Sequence, residues 1–211
     1  MIRILIADDH PILRQGIVKI LSGAPEFIVV GEAQDAREVI EFIRKDTCNI
    51  IILDITMPDR NGLDVLEQIK RERPDIDVLI LSVHKENIYA RQAFKSGASG
   101  YMTKESAPDE LINAIRIIST GRKYISPAFA EKLLFDTEQK SDDRPLHERL
   151  SNRELQIMLM IARGETPKSI AEKLFISVKT VNTYRDRILD RMSMKTNADI
   201  TRYAVLNKLI E

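Results

Sequence analysis

Asp8, Asp9, Asp54, Ser82 and Lys104 are side chains of types that can handle a phosphoryl group, and each follows or closes a short apolar run. The clearest run is IIILDITMP (50–58), where Asp54 stands at the exit of a β-branched stretch that Met57-Pro58 then stops. Such a stretch reads as a strand buried on both faces. Three carboxylates gathered in one place repel unless a cation neutralises them. Hard oxygen ligands with open positions suit Mg²⁺, which keeps waters and accepts a phosphate. A hydroxyl, an ammonium and a divalent cation together hold a phosphoryl group. The carboxylate at their centre, Asp54, is then a nucleophile for an acyl phosphate. Taken singly, Asp54, Ser82 or the Asp8-Asp9 pair reads as a helix cap. All of them together, at strand ends, read as a functional site.

The elements that must bring them together are legible as alternating patterns. Strand-like runs lie at 2–7, 27–33, 49–54, 77–82 and 99–102, with helical patterns at 11–22, 35–45, 62–72, 85–96 and 108–120. Five β–α units in series predict a doubly wound α/β fold with a parallel sheet and helices on both faces. In such a sheet ligands bind at the carboxyl ends of the strands, where the strand order reverses. Asp8, Asp9 and Asp54 close the first and third strands, Ser82 ends the fourth, and Lys104 follows the fifth.

Beyond residue 124 the pattern changes. SPAFAEKLLF (126–135) predicts a short helix capped by Ser126, with Pro127 in its first turn. The polar stretch 136–148 reads as a linker. Residues 149–211 read as helical throughout. SNRE (151–154) is a capping box, Gly164 ends that helix, and Thr166-Pro167 starts the next. Ser177 caps 178–192, and Asn197 is read as the cap of the last helix. The segments are therefore 1–124, a short helix and linker at 125–148, and a helical domain at 149–211.

Charge separates the two parts. Residues 1–146 carry 20 Lys and Arg against 24 Asp and Glu, and residues 147–211 carry 12 against 8. A basic domain joined to an acidic one points to a polyanion as partner of the second. No apolar stretch approaches the roughly 18 residues of a membrane helix, and the N-terminus lacks a signal-peptide pattern. Cys48, the only cysteine, reads as near-core packing, and the reducing cytoplasm is the expected compartment.

TPKSIAEKLFISVKTVNTYRDRILDRM (166–192) reads helix, tight turn, longer helix, the pattern of a helix-turn-helix. At 100° per residue, Val178, Val181, Ile188, Leu189 and Met192 share one face of the second helix. Lys179, Asn182, Thr183, Asp186 and Asp190 share the other, with Arg187 at its margin. On that face Asn182 can read adenine, Lys179 guanine or phosphate, and the Thr183 methyl a thymine. Thr180 is a further candidate DNA contact. Arg185, Arg187 and Lys168 are placed as phosphate contacts. Asp186 can accept from cytosine N4 yet repels phosphate.

ADDHP, LDITMPDRNG, LSVH and GYMTKE occur in an order and spacing that resemble the receiver domain of two-component response regulators, over essentially all of 1–120. The resemblance implies a flavodoxin-like sheet of order 2-1-3-4-5. It implies that Asp54 accepts a phosphoryl group from a sensor histidine kinase. Asp9, Asp54 and the Thr56 carbonyl would bind Mg²⁺, with Asp8 assisting. Lys104 would pair with phosphoryl oxygens, while Ser82 moves to hydrogen-bond them and Tyr101 turns inward. Thr56 and His84 match positions that tune phosphoryl lifetime, and Pro58 and Gly62 shape the loop beyond. The chain departs from many receivers in having Glu105, not proline, after Lys104. LSNRELQIMLMIARGETPKSIAEKLFISVKTVNTYRDRILDRM resembles the LuxR-type helix-turn-helix that closes NarL/FixJ-family regulators.

Together the resemblances imply a cytoplasmic, DNA-binding transcription regulator that dimerises on activation, with RNA polymerase as a candidate partner. Its only expected enzymatic chemistry is phosphorylation and dephosphorylation of its own Asp54. Two other readings stand beside this one. A Mg²⁺-dependent phosphohydrolase also uses an aspartyl nucleophile, but needs a carboxylate two residues on, where this chain has Thr56. A DNA binder regulated without phosphorylation would leave the acidic set unused.

Overall fold

The apolar runs form the strands β1 (Ile2–Ala7), β2 (Phe27–Ala33), β3 (Ile50–Asp54), β4 (Asp77–Ser82) and β5 (Gly100–Thr103). Between and after them run α1 (Pro11–Leu21), α2 (Ala36–Lys45), α3 (Gly62–Glu72), α4 (Glu86–Lys95) and α5 (Pro108–Ser119). The structure, a computed structural model, describes residues 1–45, 47–57, 60–83, 86–106, 108–127, 129–130 and 145–210. The chain divides into two compact units, Met1–Leu133 and Leu134–Glu211.

The sheet is parallel throughout, in the order β2-β1-β3-β4-β5. The expected topology is therefore the one found. β5 begins and ends one residue later than the sequence pattern indicated. β3 and β4 are buried, along with most of β1 and β5, because helices cover both faces, while the edge strand β2 stays partly exposed. Ile4, Ile6, Ile50 and Ile52 face a cluster completed by Ile17 and Leu21 of α1 and Leu111, Ile115 and Ile118 of α5. Side chains alternate along a strand, so Leu5, Ile51 and Leu53, buried but outside that cluster, face the other layer. There α2 and α3 bury Val39, Ile40, Ile43, Leu63, Leu66 and Ile69. Each such side chain contributes about 1.5–3 kcal/mol by leaving water. Ala7 pairs with Leu53 across β1 and β3, so Asp8 and Asp54, the next residues, leave the sheet side by side.

In the second unit, α6 (Asn152–Ala162), α7 (Pro167–Lys173), α8 (Val178–Arg191) and α9 (Asn197–Leu206) follow a 3₁₀ turn at Leu146–Arg149. The Ser151–Glu154 capping box forms as the sequence indicates. Gly164 takes φ +82° after α6, a left-handed conformation that costs glycine nothing. The turn between α7 and α8 is made instead by Phe175, at φ 53°.

Three expectations are corrected. The linker does not extend to 148: Leu146–Arg149 is ordered, with His147 buried and its Nδ1 2.9 Å from the Tyr203 hydroxyl. The cap of α9 is Thr196, not Asn197. Thr196 Oγ1 accepts from the Asp199 N–H at 3.2 Å, and Asp199 Oδ2 accepts from the Thr196 N–H at 3.0 Å. That reciprocal pair satisfies two orphan donors, one more than a lone cap does. Val178, assigned to the buried face, is 43% exposed, because the first helical residue extends beyond the packed part of α8. The helix expected at 126–135 is described only to Ala130, where Ser126 Oγ accepts from the Phe129 N–H at 3.3 Å, as a cap does.

Candidate functional site

The carboxyl ends of β1, β3 and β5 converge on an acidic pocket. Asp8 and Asp54 are 2% and 1% exposed, held there by the sheet register. Lys104, the residue after β5, donates from Nζ to Asp54 Oδ2 at 2.7 Å and lies 2.6 Å from Asp8 Oδ2. Asp54 Oδ1 accepts the Thr56 N–H at 3.1 Å. Asp8 Oδ1 accepts the His10 N–H at 2.8 Å.

Burial pushes the Asp54 carboxyl up to about 6, opposed by the attraction of Lys104. For Lys104 burial acts to lower the ammonium, but the two carboxylates outweigh it and hold its pKa above the ordinary value. The site thus contains an ionisable nucleophile beside an ammonium that stays charged.

The donor set fits a divalent cation. Ligand-capable atoms of Asp8, Asp9, His10 and Asp54 all lie within 4.8 Å of one another. Asp9 Oδ1 is buried and accepts no hydrogen bond; His10 Nδ1 is 2.7 Å away but outside hydrogen-bond geometry. Hard, anionic oxygens in excess over the Lys104 charge are what an oxygen-ligated dication neutralises.

In the second unit, α7, Phe175 and α8 form the expected helix-turn-helix. Ser177 Oγ accepts from the Thr180 N–H at 3.0 Å and starts α8. Val181, Ile188, Leu189 and Met192 are buried, while Lys179, Asn182, Thr183, Asp186 and Arg187 are exposed on one side. Glu154, 2% exposed, ties α6 to the end of α8, accepting from Arg191 at 2.6 Å.

Comparison with known proteins agrees with both halves. Residues 4–116 match the response regulator receiver domain, and residues 148–204 match the bacterial regulatory proteins of the luxR family. The chain is a luxR-family two-component response regulator. The regulator is 36% identical to response regulator GacA of Pseudomonas protegens over 211 residues, covering 100% of this chain and 99% of that protein. It is 35% identical to response regulator UvrY of Escherichia coli over 210 residues, covering 99% and 96%. Among solved structures it resembles RcsB of Salmonella enterica serovar Typhimurium bound to promoter rprA in the presence of phosphomimetic BeF₃⁻. The TM-score is 0.70 and the identity 25%, over 96% of this chain and 97% of that one.

The regulator's remaining site residues fall as follows. Ser82 is fully buried at the end of β4, beside Thr103 in the sheet register, and its carbonyl accepts the Lys104 N–H at 2.7 Å. β3 and β4 pair Asp54 with Leu81, so Ser82 stands one step beyond the carboxylate. Thr56 is exposed at the rim. Tyr101 is fully buried in β5. Gly62 packs on the Asp54 loop: its N–H donates to the Ile55 carbonyl at 2.8 Å, and a Cβ there would overlap the Asp54 carbonyl oxygen. His84 and Pro58 lie outside the described residues. Lys168 is exposed near the start of α7. Thr180 is half-buried, its hydroxyl 2.8 Å from that of Ser177.

Three positioning residues went unassigned in the sequence. His10 donates to Asp8 through its backbone N–H. Arg14 donates from Nη1 to the Asp8 carbonyl at 2.6 Å and from Nε to Glu32 at 3.1 Å. Asn61, fully buried, accepts the Leu63 N–H at 2.8 Å and caps α3. Only Asn61 left a signal, an Asn-Gly pair ahead of an apolar helical period; His10 acts through its backbone N–H and Arg14 through a guanidinium that reaches a backbone carbonyl, and no pattern marks either.

Proposed function

We propose that Asp54 is the phosphoacceptor of this regulator and that its phosphorylation controls dimerisation and transcription through the helix-turn-helix. The observation that carries the reading is the Lys104 ammonium between two buried carboxylates at the switch point of the sheet. A carboxylate oxygen of Asp54 attacks the phosphorus of a phosphohistidine on a sensor kinase; the P–N bond breaks and the imidazole leaves. Lys104 then exchanges its Asp54 contact for a phosphoryl oxygen, and the Ser82 hydroxyl donates to another. Asp8, Asp9, Asp54 and the Thr56 carbonyl would hold Mg²⁺, which supplies charge neutralisation for the incoming phosphoryl group. Above about pH 6 Asp54 is mainly ionised, as a nucleophile must be. Thr56 and His84 are assigned to phosphoryl lifetime.

The change at Asp54 shifts a population in which Ser82 and Tyr101 support one arrangement of the surface around α4 and α5. The dimer then presents two copies of α8 to successive major grooves of DNA. Lys179, Thr180, Asn182, Thr183 and Asp186 face the bases, and Lys168 and Arg187 the phosphates. The protein acts in the cytoplasm, with RNA polymerase as a candidate partner. Its only covalent chemistry is on its own Asp54. Among the described residues no helix is long and apolar enough to cross a membrane.

The test is intact mass and light scattering of wild type and Asp54→Asn with acetyl phosphate and Mg²⁺. A phosphoryl adduct on wild type alone, with a shift to dimer, is expected. Absence of an adduct together with absence of phosphate release would overturn the proposal.

A further inference from the structure

Arg185 was assigned to phosphate on sequence grounds, yet its guanidinium is engaged within the domain. Nε donates to Asn197 Oδ1 at 2.7 Å, and Nη1 donates to Asp186 Oδ1 at 3.1 Å. Neighbouring residues on a helix diverge by about 100°, so i,i+1 side chains do not ordinarily face each other. Here Arg185 is turned toward Asp186, and Asn197, the first residue of α9, accepts from the side of the fork that fixes that direction. The Arg185 side chain is 31% exposed and the Asp186 side chain 73%. The carboxylate therefore projects beside Asn182 and Lys179, and the arginine lies behind it.

This arrangement resolves a conflict in α8. An exposed carboxylate among base-reading residues is repelled by phosphates and pays side-chain entropy when it orders on DNA. A guanidinium anchored from a second helix offsets the charge and reduces that freedom. Arg185 engages Oδ1 of Asp186, and a carboxylate has acceptor capacity on both oxygens. In the major groove the partner of such an acceptor is the N4 amino group of cytosine.

We propose that Arg185 is a positioning residue, anchored by Asn197, that holds Asp186 as the cytosine-reading acceptor of α8. The proposal rests on the reading of α8 as the recognition helix. It makes Asp186 a specificity determinant, and it makes base preference depend on the hydrogen bond between Arg185 and the first residue of α9.

The test is selection from randomised DNA duplexes by the full-length protein, treated with acetyl phosphate and Mg²⁺. Wild type, Asp186→Ala, Arg185→Ala, Arg185→Lys, Asn197→Ala and Asn182→Ala are compared, each checked by thermal melting. Asp186→Ala should lose a cytosine preference at one position per half-site, lowering discrimination there roughly tenfold. Arg185→Ala should lose the same position with an unchanged salt dependence, and a protein carrying both Arg185→Ala and Asp186→Ala should lose no more than either single one. Arg185→Lys should fall between, since an ammonium lacks the fork that reaches both partners. Asn197→Ala, which removes no charge, should weaken that position alone and carries the test if Arg185→Ala fails to fold. An Arg185→Ala protein that keeps the motif but binds every sequence more weakly, with a shallower salt dependence, makes Arg185 a phosphate contact and overturns the proposal. An intact motif in Asp186→Ala, with a position lost in Asn182→Ala, overturns the role of Asp186 while leaving α8 as the reader. An unchanged motif in both overturns the recognition-helix reading itself.

Discussion

Replacing Lys104 with methionine keeps the length and volume of the side chain and removes its charge, which isolates what the ammonium does. The Lys104 side chain is 9% exposed, between the side chains of Asp54 at 0% and Asp8 at 3%. Removing one partner of a buried ion pair costs about 3–5 kcal/mol, because the other charge remains buried. Asp54 has an escape, however, by taking up a proton. Its pKa in the folded protein is raised from 3.8 to about 6. A group so raised stabilises the fold fully below about pH 3.8, and that contribution is lost as pH rises through about 6. Without Lys104 the pKa rises further, so in the variant the loss continues to higher pH. At pH 7.5, protonating a group of pKa about 6 costs about 2 kcal/mol, which sets the Asp54 part of the penalty, and the lost Asp8 contact adds to it at both pH values. At pH 5.5 wild-type Asp54 is already largely protonated, and the Asp54 part should shrink to about 1 kcal/mol. Mg²⁺ at pH 7.5 should restore the variant more than it stabilises wild type, since a dication replaces the missing charge. The chain has no tryptophan, so urea unfolding is followed by circular dichroism, and the transition that Mg²⁺ moves identifies the receiver. Equal destabilisation at both pH values, or a Mg²⁺ response no larger than that of wild type, would refute the reasoning.

Other substitutions probe the supports. Gly62→Ala forces a Cβ onto the Asp54 backbone; we expect a loss of about 3 kcal/mol or more and slower phosphorylation by acetyl phosphate, and a wild-type urea midpoint and rate would contradict the packing. Glu154→Ala removes a buried carboxylate that accepts from Ser151 and Arg191. It should cost about 2–4 kcal/mol in the helical domain without altering acetyl-phosphate labelling of Asp54, and intact mass with thermal melting checks both halves. Phe175→Gly relieves φ 53° at a side chain 73% exposed. Melting should rise or stay level, by up to about 1 kcal/mol, and a clear drop would mean that the phenyl ring packs.

Much of this molecule is written in local pattern. The β-branched runs of β1, β3 and β4 announce a sheet buried on both faces. Ser151, Thr166 and Ser177 mark helix starts, because orphan N–H groups need acceptors wherever the fold places them. The acidic set was legible for the same reason: Asp8, Asp9 and Asp54 stand where strands must end. The cap of α9 was misread because Thr196 and Asn197 are both good caps, and only the reach of Asp199 decides between them. Val178 followed the helical period, yet periodicity has no knowledge of where packing stops.

The sequence by itself determined most of the buried core, the order of the elements and which groups could carry phosphate or read a base. These depend on composition and spacing over a few residues. Tertiary structure alone decided which charges meet. Lys104 reaches Asp8 and Asp54 only because parallel strands put residues 50 and 96 positions apart at one sheet edge. Arg185 turns from solvent to Asn197, 12 residues on, only because the chain turns back after α8 and brings the start of α9 within its reach. A side chain's partner is chosen by distance in space, and a long flexible side chain such as lysine or arginine records nothing of that choice in the residues next to it.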